Sequence, residues 1–319
     1  MTTLLFPPVR TFFQCPPVFD LRAHALDVAL MGVPYDGGAM TSFVRSGASR
    51  GPDAVRAQAV FSYRGGRYEG TAEAGEACAG WFDVEEHTVY LEGAHLGDAG
   101  DVPIAGGDTH LNLDRITAAA EALAATDAVV AAVGGDHSIS FPVGRGMGRY
   151  EQIDVVHFDA HPDFTDEIGG SRFSHGSNLR RLSELPFVRN ITMVGIRNCA
   201  RAVYEEARER GIEIVTSKDL VTGDPAEIIR RAVPPSDNLY VSIDSDVLDG
   251  ALVPGTTMPE PFGVDYRTLR TALAAVTTRG RIRGFDLVEM TDLDGGIGSA
   301  RITAWVLAHF ISAIVEAGR

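Results

Sequence analysis

The sequence predicts an α/β protein, a three-layer α/β/α sandwich with a mostly parallel central sheet. Short runs rich in Val and Ile recur along the 319 residues, and helical patterns separate many of them. Gly and Pro pairs such as Gly37-Gly38, Gly106-Gly107, Gly169-Gly170, Pro234-Pro235 and Gly295-Gly296 mark the joints as loops. A continuous apolar run carries no polar face, so a strand built from it is covered on both sides, the condition of a parallel sheet between helices.

In chain order the strands are expected at Asp27–Val33, Ala128–Val133, Asp154–Phe158, Ile191–Ile196, Ile212–Val215, Leu239–Ile243 and Arg283–Val288. Helices are expected at Leu113–Ala125, Arg201–Arg210, Pro225–Ala232 and Tyr266–Thr278, the βαβ alternation of an α/β fold. Ala300–Gly318 is apolar, but Arg301, His309 and Glu316 make it a buried or amphipathic helix rather than a membrane span. There is no internal repeat or low-complexity tract. The expected organisation is one domain over 1–319, with residues 1–25 as an N-terminal extension.

A formal net charge of −15, with no Lys/Arg-rich run to offset it, opposes nucleic acid and anionic membranes and suits a small cationic substrate. Cys15, Cys78 and Cys199 are too few and too scattered for a disulfide framework or a Cys-based zinc site, so a cytoplasmic setting is expected. Met1 to Pro17 carries prolines and a charge where a signal peptide would carry an apolar stretch.

The acidic and histidine residues fall at strand ends. Ala128–Val133 runs into Gly134-Gly135-Asp136-His137, and Asp154–Phe158 into Asp159-Ala160-His161-Pro162-Asp163. Leu239–Ile243 runs into Asp244-Ser245-Asp246, and Arg283–Val288 into Glu289. Four strands thus deliver charge to the C-terminal sheet edge, where sites of open α/β sheets assemble. Carboxylates converging there without a cation are costly. If strand geometry persists through Asp159-x-His161-x-Asp163, the three side chains point the same way. Asp159, Asp163, Asp244 and Asp246 carry four negative charges, matching two divalent cations, and oxygen donors with a minority of imidazoles suit Mn²⁺ better than a soft-ligand zinc site. Two such ions can bridge a water, lower its pKa and present hydroxide to an electrophilic carbon. Each piece also has a plainer reading: Gly134-Gly135-Asp136 as a strand-to-helix turn with a capping Asp, His137 as a core histidine, Asp244-x-Asp246 as the start of an aspartyl-phosphate phosphatase.

Together these residues resemble the ureohydrolases, which include arginase, agmatinase and formimidoylglutamase. The resemblance runs from Gly32-Val33-Pro34-Tyr35-Asp36-Gly37-Gly38 through Arg45-Ser46-Gly47-Ala48 and Gly51-Pro52. It continues through Gly134–Ser138, Asp159–Asp163 and Ser242–Asp249 to Glu289, nearly the whole chain. It implies one Mn²⁺ on His137, Asp159, Asp163 and Asp244, and a second on Asp159, His161, Asp244 and Asp246. Ni²⁺ and Co²⁺ accept the same donors. It also implies that His175 shuttles a proton to the leaving amine, that Glu289 grips the guanidinium, that Asp246 accepts a hydrogen bond from the hydroxide, and that the chain forms a homo-oligomer, trimer or hexamer.

The sequence departs from the family at Gly250, at Thr257-Met258 and at Met290-Thr291-Asp292, loops expected to border the substrate. An agmatine-like substrate is the leading expectation; arginine, a guanidino acid, guanidine and a formimino compound are the alternatives. Asp166, Glu167 and Arg172 are expected to face solvent. Rival readings are a catalytically silent subunit, the phosphatase, and a single-metal deacetylase.

Overall fold

The structure, a computed structural model, describes residues 5–20, 24–42, 44, 47–59, 73, 75–293 and 296–319. Arg45, Ser46 and Gly295 lie outside them. The strands are β1 (Val28–Gly32), β2 (Trp81–Asp83), β3 (Thr88–Tyr90), β4 (Leu96–Asp101), β5 (Val129–Val133), β6 (Ile153–Phe158), β7 (Val188–Ile196), β8 (Glu213–Thr216), β9 (Ser236–Asp244) and β10 (Gly280–Val288). The helices are α1 (Gly37–Met40), α2 (Gly51–Gln58), α3 (Thr109–Ala124), α4 (Ser140–Arg145), α5 (Asn178–Ser183), α6 (Arg201–Glu209), α7 (Ser217–Thr222), α8 (Pro225–Ala232), α9 (Tyr266–Thr277) and α10 (Gly296–Ala317).

Eight strands form one sheet in the order β4-β1-β5-β10-β9-β6-β7-β8. Every pairing in it is parallel. β2 and β3 stand apart as an antiparallel hairpin. Strand side chains alternate between two cores. Val28, Leu30, Ala131, Val133, Val156 and Phe158 pack with α2, α7, α8, α9 and α10. Ala29, Met31, Val130, Ala132, Ile153 and Val155 pack with α3, α4, α5 and α6. That is the period-2 geometry of a strand expressed as two helical layers.

Helix ends follow local chemistry. Asp108, Asp224 and Asp265 cap α3, α8 and α9 by accepting from main-chain N–H groups. Thr216 and Asp219 form a reciprocal capping box on α7. α10 is long and apolar enough to cross a membrane, yet two-thirds of its apolar window is buried (67%) inside the fold. It is packed on α2 and α9 as a core helix.

β4 was not expected as a strand. Its Leu-Gly-Asp-Ala-Gly-Asp sequence lacks an apolar run, and Asp98 is fully buried in it. Residues 5–20 cover this edge. Phe6 exchanges main-chain hydrogen bonds with Asp101 at 2.7 and 2.8 Å, the Val18 N–H donates to the Asp98 carbonyl at 2.8 Å, and the Asp98 N–H donates to Pro16 at 3.0 Å. Phe12, Phe13 and Cys15 are fully buried there.

Candidate active site

The strands that end in charge, β5, β10, β9 and β6, are the four consecutive central strands of the sheet. Their shared direction brings His137, Glu289, Asp244, Asp246, Asp159, His161 and Asp163 to one edge, as the sequence leads one to expect. The local geometry differs from extrapolated strands. β6 ends at Phe158 and the chain bends from Asp159 onward. Asp163 adopts a left-handed backbone with φ 45°, as does Glu289 at φ 64°. The three side chains of Asp159-x-His161-x-Asp163 therefore converge through a turn and not along a strand.

Asp136 takes the plainer role. It caps the turn at His137, accepting from the Ser138 N–H at 3.0 Å and the Ala39 N–H at 2.7 Å. Gly134, at φ +91°, lies where a Cβ would come within 2.2 Å of Pro52, so this turn needs glycine.

His137 Nδ1 lies 3.0 Å from Asp159 Oδ2, 3.1 Å from Asp163 Oδ2 and 3.0 Å from Asp244 Oδ2. One N–H cannot serve three carboxylates. A neighbouring cluster joins His161 Nδ1 to Asp246 Oδ2 at 3.1 Å and to Asp159 Oδ1 at 3.4 Å. Asp159 thus belongs to both groups, His137–His157–Asp159–Asp163 and Asp159–His161–Asp246. Ligands about 2.1 Å from the centre of an octahedron stand about 3 Å from one another, so these spacings are those of ligand edges around small hard cations.

The electrostatics make the same demand. Burial, then repulsion from Asp246 and Asp159, pushes the Asp244 carboxyl well above the usual range. Burial and Asp159 push Asp246 up to about 6. Burial opposes charge on His137 and His161, yet contacts with the carboxylates lift both well above an ordinary imidazole. Asp159 moves the other way: hydrogen bonds and charge from His137 and His157 overcome its burial and hold it well below the carboxylate range. In the metal-free protein these imidazoles would hold protons as counter-charge, and divalent cations would displace them, because ligating imidazole is neutral. Buried Asp159 Oδ2 lacks a hydrogen-bond partner of good geometry. The donor set fits two divalent cations of the hard to borderline class.

Several supporting residues escaped sequence reasoning. His137 Nε2 lies 2.8 Å from Ser242 Oγ, which donates to Asp286 Oδ1 at 2.8 Å, so the ring can present Nδ1 to a cation. Fully buried His157 stacks on His137 with centroids 4.9 Å apart and places Nε2 3.1 Å from Asp159 Oδ2. Asn178 donates to Asp163 Oδ2 and to the His175 carbonyl, both at 2.7 Å. The available signal was polarity inside runs that should be apolar on both faces: His157 in β6, Ser242 in β9, Asp286 in β10.

His175 and Glu289, given separate roles by the resemblance, lie side by side, with Nδ1 and Oε1 3.0 Å apart. The His137 N–H also donates to Glu289 Oε1 at 2.7 Å. Glu289 Oε2 is buried without a partner. Burial works against charge on His175, but the Glu289 carboxylate lifts it to about 9. Both residues line a cavity of about 350 Å³ with His161, Asp163, Asp244 and Asp246; its apolar lining includes Ile168, Val203 and Met258.

Of the three departures, only Met258 lines this cavity. Gly250 donates to the Glu260 carbonyl at 2.9 Å, and Met290 bridges Thr256. Thr291 donates to Gly255 at 2.8 Å, and Asp292 pairs with exposed Arg50 at 2.9 Å. The expectation that these loops border the substrate is therefore narrowed: the Thr257-Met258 loop lies against Glu289 and lines the cavity, whereas Gly250, Met290, Thr291 and Asp292 are not among the lining residues. Asp166 and Arg172 are more than half exposed and Glu167 is exposed, as expected. Asp166 pairs with Arg181, and Arg172 with Glu184.

A parallel α/β sheet whose central strands carry a two-cluster Asp/His cradle and a carboxylate-lined cavity defines a metal-dependent hydrolase class. The chain belongs to the arginase family, whose sequence profile matches residues 26–315. It is 31% identical over 308 residues to proclavaminate amidinohydrolase of Streptomyces clavuligerus, covering 93% of this chain and 91% of that one. The solved structure of that enzyme superposes with a TM-score of 0.80 at 27% identity, covering 97% and 98% of the two chains. Identity to guanidinopropionase of Pseudomonas aeruginosa is 33% over 291 residues, covering 89% and 82%. Identity to agmatinase of Bacillus cereus is 31% over 237 residues, covering 72% and 79%. The protein is accordingly a hydrolase of amidino C–N bonds.

Proposed function

We propose that the protein hydrolyses an agmatine-like guanidine to urea and an amine, with two Mn²⁺ ions held by His137, Asp159, His161, Asp163, Asp244 and Asp246. The observation that carries this reading is the unpartnered, buried Oε2 of Glu289 in a cavity lined by three further carboxylates. Among the described lining residues there is no Lys or Arg to receive an acidic tail. A guanidinium can satisfy Oε2 by a charge-assisted hydrogen bond, and a cationic or neutral tail meets no repulsive partner there.

When bound, the cations supply Lewis acidity and a water acidic enough to lose its proton near neutral pH. Glu289 orients the amidine carbon, Asp246 accepts a hydrogen bond from the attacking water, and the cavity wall holds the tail. His175 Nδ1 is engaged by Glu289 Oε1, which leaves Nε2 to carry a proton to the departing amine. Water thus adds to the guanidine carbon, the C–N bond to the tail breaks, and urea and amine leave. Cytoplasmic action as a homo-oligomeric single-domain chain belongs to the same reading.

The test is urea release from Mn²⁺-loaded protein across agmatine, arginine, guanidinobutyrate, guanidinopropionate and guanidine, with His161→Ala as control. Agmatine turnover lost in the control is expected. Preferential turnover of guanidinopropionate would overturn the tail assignment. No urea from any compound would favour a formimino substrate or a silent subunit.

A further inference from the structure

Arg197, in the turn after β7, is absent from the ligand and substrate-binding sets above, yet it ties the metal-bearing loops together. Its Nε donates to the Pro261 carbonyl at 2.8 Å. Its Nη2 reaches the carbonyls of Asp246 at 2.7 Å, Glu260 at 3.1 Å and Leu248 at 3.3 Å. Its Nη1 reaches Gly195 at 3.4 Å and Val247 at 3.5 Å. The guanidinium therefore grips three successive carbonyls of the segment that carries Asp246. The main chain at the same point holds the other loop, because the Arg197 and Asn198 N–H groups donate to the carbonyl of Ala160, between Asp159 and His161, at 2.9 and 3.1 Å. The Ala160 N–H in turn donates to Asp246 Oδ1 at 3.0 Å.

The approach is close enough to require glycine at 195. It has φ +97°, and a Cβ there would come within 2.7 Å of Val247 and 2.9 Å of the Asp159 carbonyl. The loop held at Glu260 also faces the site: Glu260 Oε1 lies 3.5 Å from His161 Nε2 and accepts from Asn198 Nδ2 at 2.9 Å. The Asp246 segment is thus held by the Arg197 guanidinium, and the Asp159–His161 loop by the neighbouring main-chain N–H groups of Arg197 and Asn198. The His137–Asp163 side is held separately, by Ser242 and Asn178.

From this geometry we infer that the Arg197 side chain is a positioning residue for one of the two cation pockets, setting the place of Asp246 beside His161 through the main-chain carbonyls of residues 246–248 and 260. The inference rests on the two-cation reading above. A planar fork with five donors in fixed directions can hold several carbonyls in register, and an ammonium cannot. A misplaced ligand loop weakens metal binding by about 10- to 100-fold, the usual scale for residues that orient ligands.

The test is titration of the metal-free full-length protein with Mn²⁺ by calorimetry, with bound Mn²⁺ counted by elemental analysis. Wild type should take two ions. Arg197→Lys should weaken one binding event at least about tenfold and leave the other within about threefold. Arg197→Met should hold one ion at concentrations that saturate wild type, with the same Mn²⁺ EPR signal as His161→Ala. A role confined to fold stability would lower the melting temperature and leave the ratio of the two affinities unchanged. Two wild-type affinities in Arg197→Lys, or equal weakening of both, would overturn the inference. If Arg197→Met does not fold, Arg197→Lys decides. No Mn²⁺ uptake by wild type would instead overturn the two-cation reading and this inference with it.

Discussion

Two buried charge clusters in this protein are built on opposite principles. Beside β4, Arg56 forks onto Asp98, Nε to Oδ2 at 2.9 Å and Nη2 to Oδ1 at 3.0 Å, and meets Asp101 at 2.6 Å. It lies over the Phe12 ring at 4.4 Å, and Asp98 also accepts from the Phe12 and Gly100 N–H groups. That cluster contains its own cation. At the ends of β5, β6, β9 and β10, four aspartates converge on three histidines, and among the described residues no Lys or Arg side chain pairs with any of the four. Both clusters are conspicuous for buried charge, and the difference lies in whether the chain supplies the counter-ion. Where it does, the cluster fastens the N-terminal segment to a sheet edge; where it does not, it is built to take up a cation.

The sharpest way to break this contrast is to remove the shared carboxylate. Asp159→Ala should cost more than about a hundredfold in activity, beyond the usual effect of losing a residue that merely orients a ligand. It should also abolish Mn²⁺-dependent stabilisation. In wild type, each Mn²⁺ present at a hundred times its Kd should add about 2.7 kcal/mol, read as a rise in Tm over the chelated protein. An unchanged Tm on adding Mn²⁺ to wild type would contradict the cation-accepting reading.

The converse substitution is Arg56→Met. It strands Asp98 without its partner and should cost about 3–5 kcal/mol in denaturant unfolding, with both Mn²⁺ affinities intact. Adding Asp98→Asn should recover part of the loss. A fall in metal affinity in Arg56→Met would show that the two clusters are not independent.

This contrast also explains what could be read from the sequence. The central strands and the meeting of their charged ends were legible because apolar runs fix strand direction and a parallel sheet gathers the ends. β4 was not, since its strand character depends on Arg56 neutralising a buried Asp from 42 residues away. The β2–β3 hairpin is too short, at three residues a side, for its alternation to register. Asp159, His161 and Asp163 were found on a strand argument that the turn at Asp163 does not follow. Arg197 left no signal, because a side chain that binds main-chain carbonyls has no sequence partner to pattern with.

A smaller effect sharpens the contrast at the His175–Glu289 pair. The His175 imidazole, raised from the ordinary 6.5 to about 9, contributes stability that in metal-free protein is complete below 6.5 and disappears as pH rises through about 9. The loss should be on the order of 3 kcal/mol. Urea melts at pH 6 and pH 9.5 would read it, and Glu289→Gln should flatten the difference. A slope unchanged in that variant would place the linkage elsewhere.

The smallest effect belongs to charge that stands in sequence between cavity-lining residues, Ile168 and His175, yet faces water. Arg172, 53% exposed, meets Glu184 at 3.1 Å and Asp166 at 3.4 Å, on the segment that leads to His175. Solvent screens such pairs, and holding long side chains in place offsets most of the attraction. Arg172→Ala should therefore change KM for a cationic guanidine by less than about threefold and Tm by less than about 2 °C. The residue shares its sign with the substrate, so any change in KM should be downward and should shrink as salt is raised. A tenfold rise in KM would mean that Arg172 holds the segment carrying His175, and that position on that segment outweighs exposure in deciding which charges matter.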